Sequence, residues 1–205
     1  MSERFKTILM LGAPGSGKGT QGKMLASCPG FFHHSSGDVF RNLNRDSDLG
    51  QTFLSYSSRG ELVPDDITIK VWNANIDAHV TLNQFHPGAD LLLLDGIPRN
   101  PNQAKMMDQY IDVLMVIHLV CDDQQIVIDR LSKRALREKR PDDAREDVIR
   151  RRLAIYHEDT RPVLDHYSPD RIRKIDPIGT PLEVFKSVLE AVAPLQKAQF
   201  GNTLA

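Results

Sequence analysis

The chain alternates short apolar runs with longer segments in which apolar residues recur every three or four positions. Four short runs predict strands, at residues 7–11, 91–94, 114–120 and 171–175. The first three are almost continuously apolar, which is typical of parallel strands that are covered on both faces. The helical pattern is clearest over residues 147–166, and Pro181 precedes a further amphipathic stretch. The pattern therefore predicts an α/β fold in which helices wrap a sheet.

Folds of this class bind their ligands at the carboxyl ends of parallel strands, where Gly12, Asp95 and Cys121 are found. Gly12 opens the run Gly-Ala-Pro-Gly-Ser-Gly-Lys-Gly-Thr, and a helix-compatible segment follows it. In that context a glycine-rich loop turns its backbone amides towards a phosphate, and the helix adds the positive end of its dipole. Lys18 would then reach the outer phosphates of a nucleotide. The alternative, a glycine-rich turn that binds nothing, does not account for the flanking strand and helix.

This loop departs from the commonest pattern at one position. Gly19 follows Lys18, and the hydroxyl comes one residue later, at Thr20. In most such loops a Ser or Thr directly after the lysine binds magnesium. We therefore expect magnesium to be held mainly by phosphate oxygens and water.

Length and charge limit the possible partners. A chain of 205 residues suits a single domain, and its net charge of −1 gives no general reason to expect nucleic acid or an anionic membrane. The positive charge is local instead, in a basic run over residues 130–152. Such a run is most often a solvated helix face, but together with a phosphate loop it favours binding of a polyphosphate. The apolar run at residues 8–11 is too short for a signal peptide or a membrane span, so we expect a soluble, cytoplasmic protein.

The residues that usually bind structural metals are few. Cys28 and Cys121 are the only cysteines in the sequence, and cytoplasmic thiols normally stay reduced. His33 and His34 are adjacent, so on a strand they would face opposite sides. A structural zinc site needs about four convergent ligands, so we expect no zinc site.

The variant loop resembles that of the nucleoside monophosphate kinases, and further motifs follow in that family's order over nearly the whole chain. They are Ser-Gly-Asp-Val-Phe-Arg at 36–41, Gly-Glu-Leu-Val-Pro-Asp at 60–65, Leu-Asp-Gly-Ile-Pro-Arg at 94–99, Arg130, Arg134, Arg-Pro-Asp-Asp at 140–143 and Arg152. Ile97 stands where the family usually has Phe. Within the family, the adenylate kinases match best, in their form with a short lid.

The resemblance implies a P-loop kinase fold, with a central parallel five-stranded sheet wrapped by helices. Residues 1–205 would form one domain. Its core would comprise residues 1–35, 71–130 and 147–205, with a helical monophosphate-binding insert at 36–70 and a short lid at 131–146. Closure of insert and lid would exclude water, which could otherwise hydrolyse the phosphoryl donor.

The resemblance also implies an activity: reversible, magnesium-dependent transfer of the terminal phosphoryl group of ATP to AMP, giving two ADP. ATP, AMP and ADP would be the partners of a monomeric enzyme that binds neither nucleic acid nor membrane. The acceptor phosphate is already ionised at neutral pH, so the reaction needs no general base. Catalysis then depends on aligning two phosphates and neutralising the charge on the group in transfer.

The family's functional residues carry over to matching positions. The donor would be held by Gly15, Ser16, Gly17, Lys18, Gly19, Thr20, Arg130, Arg134 and, through its backbone, Gly179. The acceptor would be held by Ser36, Arg41, Glu61, Leu62, Val63, Gly96, Ile97, Pro98, Arg99 and Gln103. Arg140 and Arg152 would lie between the two nucleotides, and Asp95 would orient water on magnesium. The catalytic set would be Lys18, Arg99, Arg130, Arg134, Arg140 and Arg152.

Some assignments have competing interpretations. We expect Asp142 and Asp143 to cap the following helix and to pair with lid arginines, because acidic residues are preferred at helix starts. Arg151 or Arg150 could replace Arg152, since the segment that leads to it is one residue longer than the common family spacing. Gln103 could be an ordinary exposed helix residue.

Two other activities stay open. A kinase of the same fold could act on UMP, CMP or GMP. Gln103, four residues after Arg99, favours adenine, whereas Asn100 also occurs in pyrimidine-specific relatives. A regulatory switch that hydrolyses GTP would require an Asn-Lys-x-Asp motif, which the sequence lacks.

Overall fold

The centre of the protein is a parallel five-stranded sheet, seen in a computed structural model that describes residues 4–121, 123–138 and 143–200. The strands are β1 (Phe5–Gly12), β2 (Phe31–Ser35), β3 (Leu91–Asp95), β4 (Ile111–Leu119) and β5 (Ile172–Ile175). Their order is β2-β3-β1-β4-β5, and each neighbouring pair is parallel. The predicted α/β class and five-stranded parallel sheet are therefore confirmed. Predicted and observed strand ends differ by a few residues; Val120, for example, lies just beyond β4.

Helices flank this sheet in the described part of the chain. They are α1 (Lys18–Leu25), α2 (Ser36–Arg41), α3 (Asp48–Ser57), α4 (Asp65–Thr81), α5 (Pro101–Met107), α6 (Gln124–Glu138), α7 (Glu146–Ile155) and α8 (Pro181–Phe200). The predicted insert holds α2, α3 and the first residues of α4, while residues 131–138 of the predicted lid continue α6. The division into core, insert and lid stays a prediction, and residues 139–142 lie outside the described residues.

The predicted helix over 147–166 is correct in extent but wrong in regularity. α7 gives way to a π-helical turn (Tyr156–Thr160) and then to a 3₁₀ helix (Arg161–His166). Pro162 explains the change, because it has no backbone N–H and its ring displaces the carbonyl one turn earlier. The predicted carboxyl-terminal helix after residue 180 is confirmed by α8.

Each face of the sheet is covered by its own apolar layer. Leu9 and Leu11 of β1 point to one side, where Trp72 and Ile76 of α4 pack against them. Ile8 points to the other side, where apolar residues of α1 and α8 cover the sheet. This alternation follows from the two-residue period of a strand and explains why β1 is apolar on both faces. None of the helices in the described part of the chain is long and apolar enough to cross a membrane.

The core predicts a stability difference between two leucines. Leu93 in β3 is fully buried, whereas the side chain of Leu82 is 65% exposed. Leu93→Ala should lower the free energy of unfolding by about 2–5 kcal/mol, because it removes buried contacts and leaves a cavity. Leu82→Ala, the matched control, should change it by less than about 0.5 kcal/mol. Urea denaturation checks both values, and similar losses for the two variants would contradict this packing.

Candidate active site

The glycine-rich loop joins β1 to α1 and forms one wall of a large cavity. Gly15 and Gly17 have φ angles of 83° and 96°, in the left-handed region that favours glycine. A Cβ on Gly15 would also come within 3.1 Å of the Val127 carbonyl oxygen. These turns lead into α1, whose first backbone amides have no partner within the helix. The loop therefore has the geometry of an anion cradle at a helix start.

Lys18 is the first residue of α1, and its side chain folds back over the loop. Its Nζ donates hydrogen bonds to the carbonyl oxygens of Gly12 (2.8 Å) and Ala13 (3.0 Å). Burial lowers the pKa of Lys18 to about 8; Asp95 opposes this shift, while nearby guanidinium groups, that of Arg99 among them, add to it. A bound phosphate would favour the charged form of this amine and raise its pKa.

The cavity has a volume of about 860 Å³ and collects positive side chains from several elements. Its cationic lining comprises Lys18, Lys23, Arg41, Arg99, Arg130, Lys133, Arg134, Arg137 and Arg152. Like charges gathered around one concave site repel each other and focus a positive potential. Guanidinium groups also match phosphate oxygens in bidentate geometry. The site is therefore suited to a ligand that carries several phosphates.

Asp143 holds two of these arginines in place. Its side chain is fully buried, one oxygen pairs with Arg152, and the other accepts from Nε of Arg134 at 2.7 Å. The predicted pairing of Asp143 with a lid arginine is confirmed. The predicted capping role of Asp143 is wrong, because α7 begins at Glu146 and this buried carboxylate is occupied by the two guanidinium groups. Asp142 and Arg140 lie outside the described residues.

Arg41 and Arg99, which line the same cavity, are held by local contacts. Nη2 of Arg41 lies 2.5 Å from Oδ1 of Asp38 within α2. Nε of Arg99 donates to the Gly96 carbonyl oxygen at 2.7 Å, and the Arg99 carbonyl oxygen accepts from Oγ1 of Thr160 at 2.8 Å. These contacts direct two guanidinium groups towards the cavity from α2 and from the segment after β3.

Gln103 also lines this cavity, and its side chain is almost fully buried, with an exposed fraction of 1%. Its Oε1 accepts from the backbone N–H of Arg99 at 2.7 Å, and its Nε2 donates to Oδ1 of Asp65 at 2.8 Å. The interpretation of Gln103 as an ordinary exposed helix residue is therefore wrong. One amide hydrogen and one oxygen lone pair stay available to a ligand.

Asp95 ends β3 in a buried position next to the phosphate loop. Its Oδ2 lies 4.0 Å from Nε2 of His33, and a Cβ on Gly19 would be 3.5 Å from the same oxygen. Within the described residues, no group of three or more His, Cys, Asp or Glu side chains could hold a metal ion. A lone carboxylate beside a phosphate site fits magnesium, which usually keeps several waters and binds substrate phosphates.

The structure brings the described members of the predicted site together around one cavity, with one exception. Among the described ones, Ile97 alone lies outside the cavity lining: its apolar side chain is buried in the core beside Leu94 and Trp72. Ile97 was predicted among the acceptor-binding residues, and the core position of its side chain does not support that assignment. The alternatives to Arg152 are also resolved, because Arg152 lines the cavity whereas Arg150 and Arg151 are exposed on the other faces of α7.

Some lining residues were not predicted from the sequence. Lys133 and Arg137 lie on the cavity face of α6 with Arg130 and Arg134. Their spacing of three, four and seven residues could have identified this face, since such residues are neighbours on a helix. Gln21 is buried, and its Nε2 donates to the Pro181 carbonyl oxygen at 3.0 Å. No local sequence pattern predicts this contact between α1 and α8.

Comparison with known proteins gives one consistent result. The adenylate kinase family model matches residues 10–172. An adenylate kinase of Thermobifida fusca (strain YX) is 38% identical over 192 residues, which cover 90% of this chain and 97% of the relative. An adenylate kinase of Flavobacterium psychrophilum is 34% identical over 192 residues, with coverage of 90% and 97%. One of Thermus thermophilus is 32% identical over 193 residues, with coverage of 91% and 97%.

The lowered pKa of Lys18 predicts proton uptake when a polyphosphate binds. Near pH 8 about half of this amine is neutral in the free site, and an anion that raises its pKa should draw in about half a proton. At pH 6.5 the amine is already charged, so the uptake should vanish. Calorimetric titration of inorganic triphosphate in buffers of different ionisation enthalpy measures it, with Lys18→Met as the control. Equal uptake by both proteins at pH 8 would contradict the assignment.

Proposed function

The chain belongs to the adenylate kinase family, and we propose that its cavity binds ATP and AMP together and transfers the terminal phosphoryl group of ATP to AMP. The chain is thus a phosphotransferase, and the reversible reaction gives two ADP. One observation carries the assignment of substrates to this site. The phosphate loop and Gln103 line the same cavity, and several arginines line it with them.

The donor end is built around the phosphate loop. We assign the ATP phosphates to the amides of residues 15–20 and to Lys18, with Arg130 and Arg134 facing them from α6. Nη2 of Arg130 donates to the Pro177 carbonyl oxygen at 2.9 Å, which links α6 to the segment that contains Gly179. This segment has backbone next to the cavity, as contact with the donor adenine would require.

The acceptor end is built from two regions of the chain. We assign the AMP phosphate to Arg41 and Arg99, and the base to the pocket of Ser36, Gln103 and the backbone of residues 61–63. The free donor and acceptor of Gln103 match the adenine edge, on which N1 accepts and the 6-amino group donates. Asn100, which favoured a pyrimidine, is used elsewhere: its Oδ1 accepts from the Gln103 backbone at 2.7 Å and its Nδ2 donates to Asp65 at 2.8 Å.

Transfer itself requires alignment more than acid or base chemistry. The acceptor oxygen is ionised, so these side chains have to bring two mutually repelling phosphates into line and neutralise the charge on the group in transfer. We assign the neutralisation of this charge to Arg152 and Arg134, which Asp143 holds side by side. Arg140 was also predicted between the nucleotides, and that role remains a prediction.

Magnesium fits the donor end through Asp95. This carboxylate would orient water on the ion, and the phosphate oxygens of ATP would supply the other ligands. When bound, the ion would neutralise phosphate charge and favour departure of the ADP group. Thr20, one residue after the usual position of the magnesium-binding hydroxyl, would act with the loop amides on phosphate.

Two further expectations belong to the proposal. The free thiols of Cys28 and Cys121 suit the cytoplasm, where ATP and AMP are both present, and each chain carries a whole site. We therefore propose a cytoplasmic enzyme that works as a monomer. Sedimentation at working concentration checks the second point.

Lys18→Met should abolish phosphoryl transfer without unfolding the protein. Loss of a charge that stabilises the moving group costs on the order of 3 kcal/mol, or more than a hundredfold in kcat. Lys70→Met, in which an exposed lysine of α4 is changed, is the control and should keep normal turnover. The assay couples ADP formation to a second enzyme, and urea denaturation checks the fold. Near-normal turnover by Lys18→Met would remove this lysine from the mechanism.

Acceptor choice tests the proposed function directly. With ATP and magnesium, AMP should be phosphorylated in preference to UMP, CMP and GMP, and water should be a poor acceptor. Gln103→Leu should lower kcat/KM for AMP about tenfold or more, because buried polar groups of adenine lose a partner worth roughly 1–3 kcal/mol. The KM for ATP should not change. Equal losses for all four monophosphates would instead indicate a packing role for Gln103.

A further inference from the structure

Asp65, the first residue of α4, places its carboxylate against the start of α5. Its Oδ1 accepts from Nδ2 of Asn100 and from Nε2 of Gln103, each at 2.8 Å, and its Oδ2 accepts from Nδ2 of Asn102 at 2.7 Å. Burial opposes ionisation of this carboxyl group, but the amide donors outweigh burial and lower the pKa of Asp65. Asp65 is therefore an anion at neutral pH, with acceptors but no donor.

This contact has a consequence for the amide of Gln103. Its nitrogen end faces the Asp65 carboxylate, and its oxygen end faces the backbone N–H of Arg99. If the amide turned over, its oxygen would face the carboxylate oxygen and its NH₂ group would face the N–H. Both new contacts would be repulsive, whereas both present ones are hydrogen bonds. Asp65 and the Arg99 backbone together allow one orientation of the amide.

We propose that Asp65 is a positioning residue that fixes the donor and acceptor order of Gln103 and thereby selects a 6-aminopurine over a 6-oxopurine at the acceptor end. The proposal rests on the proposed function. With its orientation fixed, the amide offers its remaining N–H and its remaining lone pair in one order. Adenine matches that order, whereas hypoxanthine, a base of the same shape, has the reverse order, with N1–H as donor and O6 as acceptor. Discrimination then depends on a residue that does not have to touch the nucleotide.

The test compares AMP with IMP, the hypoxanthine nucleotide, as acceptors. Asp65→Asn keeps the size of the side chain but supplies an NH₂ group in place of an oxygen, so the turned-over amide of Gln103 also finds a partner at residue 65. Only the backbone N–H of Arg99 then opposes that orientation. The ratio of kcat/KM for AMP to that for IMP should fall about tenfold, while the KM for ATP should not change. Asp66→Asn is the matched control: Asp66 is the next acidic residue of the same first turn, is exposed, and its side chain forms no hydrogen bond or ion pair with the described residues. Its ratio should stay at the wild-type value.

Measuring Asp65→Asn in a protein that also carries Gln103→Leu shows whether Asp65 acts by orienting Gln103 or through a general effect on the structure. In Gln103→Leu, which has no amide to orient, Asp65→Asn should leave the AMP-to-IMP ratio unchanged. An equal fall in both backgrounds would overturn the proposal, because Asp65 would then act independently of Gln103. Thermal unfolding of each variant checks the fold, and Asp65→Ser is measured in the same way if Asp65→Asn does not fold. Failure of both to fold would also overturn the proposal, because Asp65 would then be a structural residue.

Measurements on the wild-type protein distinguish failure of the proposed function from failure of the role of Asp65. If it does not phosphorylate AMP, the proposed function fails. If it prefers AMP to IMP and Asp65→Asn keeps the full preference, the function stands and the role of Asp65 is wrong. If it uses AMP and IMP equally well, the role of Asp65 is also wrong.

Discussion

The main constraint on this protein is electrostatic: it has to hold many positive side chains around one cavity without an intrinsic excess of positive charge. The net charge of the whole chain is −1, yet Lys18 and a series of arginines face the same space. Part of the repulsion is offset inside the protein, by Asp143 between two guanidinium groups and by carbonyl oxygens that accept from Lys18. The positive charge that is not offset in this way gives the cavity a positive potential. This potential attracts phosphate groups, whose negative charge would reduce the remaining repulsion. The lowered pKa of Lys18 reflects burial in this environment.

The parallel sheet makes this concentration possible. The carboxyl ends of β1 and β3 lie side by side, so the phosphate loop after Gly12 and the carboxylate of Asp95 are brought together from distant parts of the chain. The two apolar layers hold these strands in place, and the helices that cover them leave the strand ends open. Helix α6 then adds a row of cations to the cavity, and α2 and α5 contribute Arg41 and Gln103, which we assign to the acceptor.

The sequence was most informative where local chemistry dictates structure. The glycine-rich loop and the apolar strands could be identified from their neighbours in the chain, whereas the arginines were assigned from the resemblance to the family. Strand β2 gave a weaker signal, because two adjacent histidines, His33 and His34, replace a continuous apolar run. The change from α to π and 3₁₀ geometry near Pro162 was missed, although the proline itself was visible. The contacts of Asp65 with α5 and of Gln21 with Pro181 join residues far apart in sequence, so no periodicity or spacing could reveal them.

The central claim is that one cavity holds two nucleotides at its two ends, and amide hydrogen exchange with each nucleotide alone tests it most directly. If the ATP phosphates bind the backbone amides of the loop as proposed, ATP with magnesium should slow exchange most over residues 12–20 and 177–181. AMP alone should slow it most over residues 36–41 and 60–65, with little effect on the phosphate loop. Protection of the same segments by both nucleotides would contradict the account, since a single shared site could not align a donor with an acceptor.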